Sequence, residues 1–162
     1  MIELNSLIPF AAIVAIIFLI IIFVFKPSKK HPYFSRGTLL TKAELRFFNV
    51  LKQVVSKDQL ISCKVRLADI INCTDKNWKR GYGPQISSKH IDFVLFDLQT
   101  SDIILCIELD DSSHSLPHRK KRDIFVDKSL GAANIPILRV KVTRGYDMAF
   151  LQKELKLAIR KN

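Results

Sequence analysis

The sequence predicts an α/β domain, a small mixed sheet with helices on its faces, preceded by one hydrophobic helix long enough to cross a membrane. Three observations carry this. Leu7 to Phe25 is a run of 19 uncharged residues, mostly Ile, Phe, Val, Leu and Ala. Beyond it, apolar runs follow one another in the order α, β, β, β, α, β, α. Two of the β-like runs are joined by the short polar turn DLQTSD, and the third is reached through a helix-length crossover, so the sheet holds antiparallel and parallel pairs.

The N-terminal run nearly spans a hydrocarbon core of about 30 Å at roughly 1.5 Å per residue. A cleaved signal peptide fits worse, because no basic stretch precedes the run and no small-x-small site precedes Lys26. A buried soluble helix would need a wet face, and this one is apolar all round. Glu3 lies before the run, whereas Lys26, Lys29, Lys30 and Arg36 follow it closely. The positive-inside rule therefore puts the N-terminus outside and the C-terminal domain in the cytoplasm, a single pass through the inner membrane. The organisation expected is a transmembrane helix at 1–25, a basic juxtamembrane linker at 26–38 (KPSKKHPYFSRGT from Lys26) and a folded domain at 39–162.

In that domain Thr41 has the character of an N-cap with Glu44 three residues on, the spacing of a capping box. Leu45, Phe48, Leu51, Val54 and Val55 continue at helical spacing to about Ser56. LISCKVRLADII, Leu60 to Ile71, suits a strand, and the basic stretch from Asn72 to Ser88 is irregular. IDFVLF (91–96), IILCIEL (103–109) and IPILRVKV (135–142) are the apolar β-like runs. A helix from about His118 to Ala133 joins the last two, a crossover expected to be right-handed. A final helix runs from about Asp147 to Arg160.

The chain carries 26 Lys and Arg against 15 Asp and Glu. Residues 1–36 hold four of the former and one of the latter, which leaves 22 against 14, a net +8, on the rest. An excess of this size suits nucleic acid or an anionic lipid surface, and also keeps a domain soluble; composition leaves the three open. Cys63, Cys73 and Cys106 form no CxxC pair, and an odd number in a reducing compartment points to small buried hydrophobes rather than disulfides or zinc.

Within this basic chain, IELDDSSH at 107–114 is conspicuously acidic. Asp92 starts one strand of the expected hairpin and Glu108 ends the other, so the two are neighbours in an antiparallel pair. Counted from a turn centred at Gln99 and Thr100, their positions differ by one residue, within the tolerance of the turn. Asp110 shares a face with Glu108. Carboxylates that converge in this way repel unless a cation binds or some are protonated. Oxygen-only ligation suits Mg²⁺, which needs few protein carboxylates and supports hydrolysis of a phosphate ester. The alternative is that these polar residues merely end two strands in solvent.

Lys89 to Val140, which reads KHIDFVLFDLQTSDIILCIELDDSSHSLPHRKKRDIFVDKSLGAANIPILRV, with LTKAELRFF at 40–48 and KVRLADII at 64–71, resembles a bacterial family of poorly characterised domains placed in the PD-(D/E)XK nuclease superfamily. The resemblance implies a restriction-endonuclease-like αβββαβ core and a nuclease activity dependent on Mg²⁺ or Mn²⁺. It also implies metal ligands at Asp92 and Glu108 and an assisting Glu44. The superfamily's lysine falls on position 110, where this chain has Asp110. The E-x-D-then-histidine pattern is similar to that of very-short-patch mismatch repair endonucleases, which implies His114 as base or water-positioning group. Lys89 is the candidate for a relocated cation.

On the helix that follows, Arg119, Lys120 and Arg122 are candidates for phosphate contacts, or else a solvated face. The i, i+4 pair Asp123 and Asp127 would repel without a basic neighbour. RGYG at 80–83 offers Arg80 and flexible glycines to a backbone phosphate. The expectation is a membrane-held nuclease acting on nucleic acid, DNA ahead of RNA. The alternative is an inactive module of the same fold that binds nucleic acid or a protein at the membrane.

Overall fold

The capping box expected at Thr41 is formed in the computed structural model, which describes residues 13–21, 31–111 and 117–160. The chain divides into two units, Met1–Gly37 and Thr38–Asn162. In the first, residues 13–21 form a helix (α1) whose large apolar side chains are 46–64% exposed. Among the described residues no helix is long and apolar enough to cross a membrane.

The second unit begins with α2 (Lys42–Val54). The Thr41 hydroxyl accepts from the Glu44 amide at 3.3 Å, and the Glu44 carboxylate accepts from the Thr41 amide at 2.8 Å. Replacing Thr41 by Ala is expected to cost about 1 kcal/mol, read as a lower urea midpoint at unchanged slope.

β1 (Gln59–Arg66) ends earlier than its apolar pattern suggests. The Leu67 amide is drawn to the Lys89 carbonyl at 2.8 Å, and Leu67–Ile70 winds into one helical turn (α3) that buries Leu67 completely. The stretch expected to be irregular holds α4 (Asp75–Asn77), a wide turn at Trp78–Tyr82 broken at Gly81 (φ 98°), and α5 (Gly83–Ser87). Then come β2 (His90–Asp97), β3 (Ile103–Asp110), α6 (Pro117–Ala132), β4 (Ile137–Lys141) and α7 (Met148–Arg160).

The four strands form one mixed sheet in the order β1-β2-β3-β4, with β1, β2 and β3 antiparallel in turn and β3 parallel to β4. Apolar alternation builds a core on each face. Phe93, Leu95, Leu105, Ile107 and Leu109 pack with Phe47 and Leu51 of α2 and Leu151 and Leu155 of α7. On the other face Val94, Cys106 and Ile91 pack with Ile86 of α5 and Val126 and Leu130 of α6. Of the cysteines only Cys106 is fully buried; burial, with Glu108 nearby, pushes its thiol up to about 12. Cys63 and Cys73 are half-buried, so the expectation of buried hydrophobes fits only one of the three.

Candidate functional site

A bulge in the hairpin decides how its carboxylates meet. Phe96 pairs with Ile103 but Leu95 pairs with Leu105, so Ile104 is an extra residue in β3. That residue removes the offset of one obtained by counting from the turn. The ladder ends with Phe93 opposite Ile107, one step short of Asp92 and Glu108, and the Asp92 charge acts on the Glu108 carboxyl. The Leu109 amide also donates to Asp92 Oδ2 at 3.0 Å, which ties the start of β2 to the end of β3.

Glu108 is the one buried charged or polar residue among the described residues, 2% exposed. Its Oε1 has no hydrogen-bond partner, and the Arg122 guanidinium stands 3.7 Å away, too far for a hydrogen bond. Burial first, then the negative charge of Asp92, pushes the Glu108 carboxyl up to about 8, against the opposing pull of Arg122 and Arg139. A buried carboxyl with an unmet oxygen is costly, and sites built to take a ligand are where such a cost persists.

Lys64, which sequence reasoning does not single out, lies between the other two acids. Its Nζ donates to Glu44 Oε1 at 2.6 Å and to Asp92 Oδ1 at 2.8 Å. Burial alone would raise the Glu44 carboxyl, but hydrogen bonds from Lys64 and the Thr41 backbone hold it below the ordinary range. Burial likewise works against the Lys64 ammonium, and its bonds to Asp92 and Glu44 hold it above the usual lysine value. Lys64 adopts φ 57°, the left-handed region that a residue with a Cβ rarely occupies.

This backbone twist has a visible consequence. Residues two apart in a strand normally share a face, yet Cys63 packs against the α2 and α7 core and Val65 against the α6 core. Their partners Phe93 and Ile91 divide in the same way. Lys64 and Asp92 are thus where β1 and β2 turn over, and the polar side chains are left at the crossover point.

Arg139 on β4 is the second residue the sequence does not flag. It pairs in register with Glu108, and its guanidinium reaches Asp110 at 3.0 Å, Asp127 at 2.8 Å and Asp123 at 3.7 Å. It is the basic neighbour that lets Asp123 and Asp127 share one face of α6. Asp110 is therefore engaged by an arginine from the parallel strand, at the position where the resemblance implies a lysine.

Of the remaining candidates, Arg122 donates to the His90 carbonyl at 3.2 Å and lies beside Glu108. Lys89 is engaged elsewhere, donating to the Gln85 carbonyl at 2.7 Å and lying 4.4 Å from the centre of the Phe125 ring. Arg80 and Lys120 are exposed. His114 and the side chain of Arg119 lie outside the described residues.

Among the described residues no group of three or more His, Cys, Asp or Glu side chains is arranged to hold a metal ion. Two carboxylates are nevertheless a donor set that Mg²⁺ accepts, because it keeps several waters and takes substrate oxygens. The orphaned Oε1 of Glu108 is the oxygen such an ion would take, while the two Asp92 oxygens already accept from Lys64 and from the Leu109 amide.

No curated protein and no solved structure matches the chain. A family model, in contrast, matches residues 36–159, a span that takes in the capped helix, the whole sheet and every acidic residue of the site while leaving out the hydrophobic N-terminal run. The chain belongs to that family, described as protein of unknown function (DUF2726).

Proposed function

We propose that the matched domain is a PD-(D/E)XK-type nuclease-like phosphodiesterase dependent on Mg²⁺ or Mn²⁺, acting on nucleic acid, DNA ahead of RNA, and held at the inner membrane by its N-terminal helix. The observation that carries this reading is the buried Glu108 carboxyl with an unmet oxygen, with Asp92 close by and bonded to the amide of Leu109, the next residue of β3. The αβββαβ order of α2, β1, β2, β3, α6 and β4 agrees with the core that the resemblance implies. The anchor rests on the 19 uncharged residues from Leu7 to Phe25 and the basic flank behind them.

Each side chain then has a task its surroundings suit. Asp92 and Glu108 would hold the ion, which when bound acidifies water and offsets charge on a phosphate. Lys64 keeps Glu44 and Asp92 together despite their like charge, and supplies positive charge beside the ligands. Arg139 holds Asp110, and Arg122 brings a positive group to the Glu108 side. His114 takes the role of base only through the resemblance.

The test is cleavage by the detergent-solubilised full chain of a panel of single- and double-stranded DNA and RNA. Activity is expected with Mg²⁺ or Mn²⁺, lost in EDTA, and lost in Asp92→Ala and Glu108→Ala. Cleavage that survives both substitutions removes the assigned site. A second reading, a non-catalytic module of the same fold, is favoured by the Lys64 ammonium, which already stands as a cation between Glu44 and Asp92. Melting temperature decides between them: a rise with millimolar Mn²⁺ supports the metal site, and no shift supports the module.

A further inference from the structure

We propose that the surface around Trp78, Tyr82 and Phe125 is a stacking site for unpaired bases of single-stranded nucleic acid; this rests on the nucleic-acid side of the reading above. KNWKRGY, from Lys76 to Tyr82, contains three basic residues, two aromatics and no acid. Lys76, Lys79 and Arg80 are exposed, and so are the rings of Trp78 (40%) and Tyr82 (53%). Basic groups interleaved with aromatic faces are what a single strand's phosphates and bases need.

The local backbone is built to present these rings. Gly81 takes φ 98° and turns the chain between Arg80 and Tyr82. At Gly83 a Cβ would run into the Trp78 indole, so the glycine lets that ring lie directly against the backbone. Tyr82 and Phe125 line a mainly apolar cavity of about 360 Å³, which Asn72, Lys128 and Ser129 also border. The mainly apolar walls suit the ring faces of a base, and Asn72, Ser129 and Lys128 offer an amide, a hydroxyl and an ammonium group to its hydrogen-bonding edge.

The surface is also connected to the acidic site. Phe125 carries the Lys89 ammonium over its ring, Lys89 precedes β2, and Arg122 spans from the His90 carbonyl toward Glu108. A strand whose base occupies the cavity would have its backbone led past basic groups to the end of β3.

The experiment uses the full chain in detergent with EDTA, so that binding is read without cleavage. Fluorescence anisotropy of a labelled oligothymidylate and of a duplex of equal length gives the two affinities. The single tryptophan of the chain, Trp78, reports contact directly. Expected are quenching of Trp78 by the single strand and roughly tenfold weaker single-strand binding in Tyr82→Ala, with duplex binding changed less than about twofold. Tyr82→Leu, which keeps apolar bulk but removes the ring, is expected to show the same loss and serves if Tyr82→Ala does not fold. Equal losses on strand and duplex, or none, overturn the proposal. So does a Trp78 response in vesicles containing phosphatidylserine, absent from phosphatidylcholine alone, without oligonucleotide binding; that outcome assigns the surface to lipid. Tyr82-dependent binding without any cleavage overturns only the nuclease reading, and cleavage with Tyr82-independent binding overturns only this one.

Discussion

Glu108→Gln is expected to make the metal-free domain more stable at neutral and alkaline pH, by on the order of 3 kcal/mol at pH 7. Burial and Asp92 raise the Glu108 carboxyl from 4.5 to about 8. A raised carboxyl is neutral in the folded chain over a range where the unfolded chain ionises. Its favourable contribution is complete below about pH 4.5 and is lost as pH rises through about 8. The wild-type urea midpoint, measured in EDTA, should therefore fall between pH 5 and pH 8 by more than that of the Gln variant. The amide keeps the shape of the side chain and removes the titration, so the variant separates charge from packing. Identical pH slopes in the two proteins would show that Glu108 is not held neutral. A site that becomes more stable when its acid is removed is one kept for a purpose other than stability.

Lys64→Ala is expected to destabilise the domain by about 2 kcal/mol, between the small worth of an exposed ion pair and the larger loss when a buried one is broken. The lysine side chain is 30% exposed and its two partners 13% and 16%, which places the cluster between those limits. Without the ammonium, Glu44 and Asp92 face each other uncompensated. Lys64→Gly gives an internal control for the backbone. Glycine loses the same ion pairs but accepts φ 57° without penalty, so it should be about 1 kcal/mol more stable than the alanine variant. If alanine equals or exceeds glycine, the left-handed conformation is not a source of strain. If neither loses stability, Lys64 does not hold the two carboxylates together.

Much of the fold was legible because it rests on local rules. Thr41 and Glu44 at capping-box spacing mark the start of α2, since the two groups that close the box lie within one turn of each other. The apolar runs at 91–96 and 103–109 lie inside β2 and β3, and the helix-length stretch before Pro136 makes the parallel crossover. β1 was overextended because Leu67 to Ile71 has the composition of a strand. What bends it away is a hydrogen bond to Lys89, 22 positions later, which no local pattern contains.

The candidate site divides along the same line. That Asp92 and Glu108 are neighbours follows from two runs, one short turn and the antiparallel rule, all visible in sequence. Their register depended on the extra residue at Ile104, and an apolar residue in an apolar run carries no mark of a bulge. Lys64 and Arg139 were invisible as site residues because each reaches its partners from a different strand: Lys64 from β1 to α2 and β2, Arg139 from β4 to β3 and α6. The sequence by itself determined the kinds of element, the hairpin, the crossover and the meeting of two acids, because these depend on spacing along the chain. Only the tertiary structure decided which cations stand among those acids and which carboxyl is buried without a partner. Pairing between distant strands and the loss of water around a side chain are properties of the packed sheet, set by contacts that span the whole domain.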